Sequence, residues 1–200
     1  MLAGSFKRLV IASALGLCFQ HAVALEVDDA VAVVGRLHAA LLEVAAIEPA
    51  EDLATRYAAL APVVRETHDL TTMGRLTVRR FWRTWSEAER ESFLEAFEAL
   101  SITTYASRFA SIGPDTFGIT GGEQVSDNRV EVRAVVHRRD ADDVSMDYTL
   151  QPVDGHWRIV NIIADGASEL SLMAAKYYDI LESGNFDDLI AELEAETAEL

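Results

Sequence analysis

Histidines and carboxylates are the side chains here with the best claim to chemistry, and their spacing is the first test of it. His68-Asp69 has the form of half a metal-dependent phosphohydrolase site, but such a site needs further His and Asp ligands in ordered spacing, and none follows. The pair reads instead as solvated residues at a helix end. His137 and His156 fall where neighbouring strands could bring them together, yet two imidazoles without a cysteine or a placed carboxylate make a poor metal site. An exposed strand face suits them better. Asp140, Asp142 and Asp143 form a turn rather than a calcium loop, for want of the glycine and terminal glutamate that such a loop needs. The doublet Gly121-Gly122 reads as a loop, and no Gly-x-Ser-x-Gly elbow, phosphate loop or dinucleotide fingerprint occurs. The chain is therefore read as a binder, not an enzyme, with no cofactor and no metal. The alternative is a small α+β enzyme whose acid and base, drawn from distant residues, meet in an open cone between sheet and helices.

Charge narrows the partners. A formal net charge of −16 and a pI near 4.6 exclude nucleic acid, whose phosphates demand basic stripes, and disfavour lasting adsorption on anionic lipid. The start, "MLAGSFKRLVIASALGLCFQHAVA", has the parts of a secretory signal: Lys7 and Arg8, an apolar run from Leu9 to Phe19, then Ala22-Val23-Ala24. Cleavage is expected after Ala24. The run ends at Gln20 and His21, too short for a membrane anchor, and Leu17 stands before Cys18 where a lipid attachment signal wants a small residue. Cleavage would remove the one cysteine and with it disulfides, thiolate catalysis and thiolate metal sites. Residues 25–200 are then expected to form one exported domain, standing on its core alone.

Two hydrophobic periods organise that domain. From Val27 to Ile47 apolar residues recur at three and four residue steps, the period of an amphipathic helix. "PAEDLATRYAALA" starts a second helix that Pro62 limits or kinks, and "HDLTTMGRLTVRRFWRTW" reads as further helix. Ser86 and Glu89 form a capping box for a long helix running to Ile112. Beyond Gly113 the period changes to two. Val130, Val132, Ala134 and Val136 share one strand face, Val144, Met146, Tyr148 and Leu150 another, and Trp157 and Ile159 a third, with short turns between. "TFGITGGEQV" supplies an edge strand, and two helices close the chain. The fold class is α+β: a helical N-terminal half, a small antiparallel sheet of about four strands, and two C-terminal helices.

The segment "FWRTWSEAERESFLEAFEALSITTYASRF" concentrates aromatics on one helix face, a pattern that on its own reads more readily as core than as binding site. It also resembles the MlaC family of periplasmic phospholipid-binding proteins, the toluene-tolerance auxiliary components. "VEVRAVV", "MDYTLQPVDGHWRIVNIIADGAS" and "YYDILESGNFDDLIAEL" follow in the family's order. The similarity covers roughly Ala50 to Leu193. "TVRRF" replaces the family's usual Leu-Gly turn before Trp82, Asn161 stands after Val160 where many members have Asp, and "ASELSL…AAKYYDIL" is closer to the hopanoid-associated HpnM branch. The resemblance implies a monomeric carrier in the periplasm, with an apolar cavity between sheet and helices. That carrier would move a phospholipid or hopanoid-type lipid between two membrane-bound complexes. One is an inner-membrane ABC transporter with its substrate-binding component, the other an outer-membrane lipoprotein complex. Phe97, Leu100 and Tyr105 on the long helix, with Tyr148 and Trp157 on facing strands, are the expected lipid-binding residues. A protein with a filled core, acting only through its acidic surface, is the competing picture.

Overall fold

The computed structural model describes residues 26–47, 52–109, 116–138 and 141–200. The expected signal segment, Cys18, Pro49, Ile112, Gly113 and Asp140 lie outside them. Four helices come first: α1 (Val27–Ala45), α2 (Leu53–Thr67), α3 (Leu70–Thr77) and α4 (Glu87–Arg108). Strands β1 (Thr116–Ser126), β2 (Arg129–His137), β3 (Val144–Val153), β4 (His156–Ala164) and β5 (Ala167–Ser168) follow, then α5 (Glu169–Ser183) and α6 (Phe186–Glu199). The fold is α+β, as the two periods predict.

The sheet is an antiparallel meander in the order β1-β2-β3-β4-β5, five strands rather than four because the chain adds a two-residue β5 before α5. Its tight turns are chemically specified. Asp154-Gly155 between β3 and β4, and Asp165-Gly166 between β4 and β5, both have two successive positive φ angles, the conformation of the two-residue hairpin that matches strand twist. Period-two alternation directs Val130, Val132, Ala134, Val136, Met146, Tyr148, Leu150, Trp157 and Ile159 inward, and all are buried. Gly121-Gly122 is strand, not loop, pairing with Arg133 and Val132. The reason for glycine is α1, since a β-carbon on Gly122 would come within 2.8 Å of Val31 and 2.9 Å of Val27.

Helices cover this inner face. α1 lies against β1, β2 and β4, while α4 packs on α2, α3 and α6. α3 ends at Thr77, so "VRRFWRTW" is not helical as expected. It forms successive turns whose ends are pinned by Val78 and Trp85, both buried. The capping box is present: Glu89 N donates to Ser86 Oγ at 3.3 Å and Ser86 N to Glu89 Oε2 at 2.7 Å. The helix it opens closes at Arg108, with Phe109 as its cap, short of Ile112. Buried Arg56 donates Nε to the Ala106 carbonyl at 2.9 Å, a cation at the α4 C-terminus that ties it to α2.

His68 corrects the sequence reading most sharply. It caps α2, a position that suggested solvent, yet it is 3% exposed. Asp69 N donates to the Ile159 carbonyl at 2.9 Å, and Arg158 donates to the carbonyls of Arg65 and Glu66 at 2.7 Å, so β4 is drawn over this helix end. Asp69 meanwhile caps α3 by accepting from Thr72 N.

Candidate lipid-binding site

α4 is divided along its length. Near its start Phe93 is fully buried among the rings of Trp85, Phe97 and Tyr177, with centroids 5.3, 5.9 and 6.3 Å away. α3 approaches so closely here that a β-carbon on Gly74 would lie 3.1 Å from Leu94 and 3.3 Å from both Phe93 and Phe97. This half is filled core. Past Phe97 the same face borders a cavity of about 200 Å³, enclosed by α3, α4, α5 and the ends of β3 and β4.

Its walls are Leu70, Met73, Phe97, Met146, Ile162, Leu170 and Met173, with Ala164 and Phe109. Every methionine except Met1 faces this one space. Methionine is unbranched and polarizable, so such a wall adapts to the shape of what it holds. Two hydroxyls in the lining are neutralised by their own helix: Ser101 Oγ donates to the Phe97 carbonyl at 2.7 Å and Thr104 Oγ1 to that of Leu100 at 2.8 Å. Arg108 and Glu169, 3.7 Å apart and partly exposed, stand at the mouth.

One imidazole reaches the interior. His68 lines the cavity, and its hydrogen-bond partners fix its tautomer. Thr67 Oγ1 spends its proton on the Val63 carbonyl at 2.7 Å, so His68 Nδ1 must donate, to Thr67 Oγ1 at 2.9 Å and the Val64 carbonyl at 3.2 Å. Nε2 then accepts from the Tyr105 hydroxyl at 2.9 Å. Burial lowers the His68 pKa to about 4, and the ring is neutral near pH 7. Burial likewise pushes the Tyr105 phenol well above its ordinary range. Rings continue from Tyr105 through Phe109, Phe117 and His38 to Tyr148, at centroid spacings of 5.8, 5.9, 4.2 and 5.4 Å. His38 Nε2 and the Tyr148 hydroxyl are hydrogen-bonded at 2.9 Å, a second buried His–Tyr pair at the far end of the series.

Of the five residues expected to bind lipid, the structure brings Phe97 and Tyr105 to the cavity wall. Leu100, Tyr148 and Trp157 are buried outside its lining. Tyr148 is taken by His38, and Trp157 turns its indole to the Glu26 carbonyl at 3.0 Å, beside the start of α1. His137 and His156 do not meet, because β3 separates their strands and they stand at opposite ends of it, His137 one residue past the Val136–Val144 pair and His156 paired with Val153. His137 Nδ1 instead lies 2.8 Å from Asp143 Oδ2. Among the described residues no three His, Cys, Asp or Glu side chains are grouped to hold a metal ion. The residues missed were Met73, Met146, Met173, Leu170 and His68. The three internal methionines are far apart in the sequence and gather only in the fold, so nothing local marked them.

A family model described as MlaC protein matches residues 36–195. No curated protein matches the chain. Among solved structures, the chain is similar to a phospholipid-binding protein from Ralstonia solanacearum in complex with a phospholipid. The TM-score is 0.74 at 18% identity, over 88% of this chain and 98% of the other. At that identity the likeness shows the fold.

Proposed function

The chain belongs to the MlaC family, and we propose that it is a periplasmic lipid carrier. Residues 25–200 act as one domain after cleavage at Ala24. They hold the acyl chains of a phospholipid between α3, α4, α5 and the sheet, and carry it between inner-membrane and outer-membrane complexes. The single observation that carries this reading is the apolar cavity walled by Met73, Met146 and Met173. The similar fold of a phospholipid-binding protein that was solved with a phospholipid supports it. Physically, each acyl methylene removed from water is stabilised by about 0.8 kcal/mol, so a dry apolar space suffices for transport without covalent chemistry.

At about 200 Å³ the space lies below the roughly 300–1,000 Å³ usual for small-molecule sites, so a diacyl lipid must widen it. The wall suited to yield is the first half of α5. Its buried anchors, Tyr177 and Leu181, both lie in the second half, while Leu170 and Met173 in the first half are only half-buried where they border the cavity. The acid/base alternative has less support, because both nitrogens of His68 are engaged by neighbours.

Filling the cavity from α4 tests this. Ser101→Phe projects a ring into the space beside Phe97 and Thr104 without replacing a packed side chain. Loading of a fluorescent acyl probe should fall at least tenfold while the unfolding midpoint holds or rises. Unchanged loading in a folded variant would remove the cavity from the function.

A further inference from the structure

The segment from Arg75 to Arg90 inverts the charge of the rest of the chain. It carries Arg75, Arg79, Arg80, Arg83 and Arg90, with no carboxylate before Glu87, in a protein of net charge −16. Because α3 stops at Thr77, the turns that follow put Arg79, Arg80 and Arg83 on the surface, next to exposed Arg75. Among the described residues only Arg80 of these five is ion-paired, with Glu182. Arg75 and Arg90 lie against the half-buried Trp82 ring, 5.6 and 5.4 Å from its centre. Arg80 lies over Phe81 and Tyr178, 5.0 and 4.8 Å from theirs.

Between these turns and α5 runs an open groove of about 640 Å³, with Leu76, Phe81, Leu170 and Tyr178 on its floor and Arg79 and Arg83 on its rim. Leu170 also lines the interior cavity, so groove and cavity are back to back across one side chain. In so acidic a protein, exposed guanidinium groups without carboxylate partners are placed to meet an anion from outside. Guanidinium matches the planar, bidentate geometry of a phosphodiester. An apolar floor beneath a cationic rim, with Trp82 and Phe81 beside it, is the arrangement that suits the headgroup level of a bilayer.

We infer that this face docks on a bilayer surface that contains anionic phospholipid, with phosphates held by Arg75, Arg79 and Arg83 and the groove floor against the first methylenes. The remaining negative surface is repelled by the same bilayer, so the contact is oriented and brief, with the α3–α5 seam facing the membrane. The inference goes beyond the carrier reading and does not depend on it.

Vesicle flotation at low salt tests it. The chain should float with phosphatidylcholine vesicles that contain phosphatidylglycerol, and not with phosphatidylcholine alone. Each arginine near such a surface raises partitioning about fivefold, so Arg79→Ser with Arg83→Ser should lower it roughly twentyfold to thirtyfold. Arg79→Lys with Arg83→Lys, which keeps the charge, should retain most of the binding and guards against a misfolded serine variant. The same charge change on and beside β2, Arg129→Ser with Arg138→Ser, should leave it intact. Equal flotation with both vesicle types, or equal loss in the β2 control, would overturn the inference. So would binding to polyglutamate without binding to anionic vesicles, which assigns the patch to an acidic protein. Lipid recovered from a chain that ignores vesicles would refute this docking and leave the carrier reading standing.

Discussion

Acid should destabilise this protein well before its carboxylates are fully titrated. His38 and His68 are both buried and neutral, with pKa values lowered to about 4 by burial. In the unfolded chain both return to about 6.5. Between those values the unfolded state binds protons that the folded state refuses, so stability falls as pH falls, and above about 6.5 these two groups contribute no slope. Each histidine should account for about 1.4 kcal/mol per pH unit inside the window. Together they can remove several kcal/mol by pH 4.5, a large fraction of the roughly 5–15 kcal/mol of a typical domain. Urea unfolding at pH 7, 6 and 5 measures the slope. His68→Gln should reduce it by one proton's worth, and His38→Gln with His68→Gln should nearly abolish it. A wild-type profile flat between pH 7 and 5 contradicts the neutral, buried pairs. The consequence reaches the cavity, since protonated Nε2 of His68 can no longer accept from Tyr105, the residue that links the wall to Phe109.

Phe93→Ala should cost about 3–5 kcal/mol, the cost of emptying a large ring from a packed core. Phe93 is fully buried, ringed by Trp85, Phe97 and Tyr177, and pressed by α3 at Gly74. Met173→Ala, on the half-buried cavity wall a short way along the fold, should cost less than half as much, because its side chain already borders open space. The two together measure the difference between packed core on α4 and the cavity wall on α5. Equal losses in urea denaturation would mean that the cavity closes in solution.

What could be read in advance follows from which forces are local. Period-two alternation placed Val130, Val132, Tyr148 and Ile159 on the inner face of the sheet, and Ser86 with Glu89 marked the start of α4, because both signals are written within a few residues. The hollow part of the interior was not legible in the same way. Tyr148 and Phe97 are both apolar-face aromatics at the expected period. Which one borders a space depends on His38 arriving from α1, about a hundred residues away in the chain, to occupy Tyr148. Likewise a helix-end histidine is ordinarily wet, and only the β4 backbone crossing at Ile159 buries His68. The spacing of the arginine turns fits a helix equally well. Val78 and Trp85, pulled into the core at either end, hold them in another shape.

The most direct test is mass spectrometry of a solvent extract from the purified chain. A lipid carrier of this construction should yield a diacyl phospholipid roughly equimolar with protein, and Ser101→Phe, folded to the same degree, should yield almost none. Wild-type protein of intact fold whose extract holds no lipid would contradict the proposed function outright.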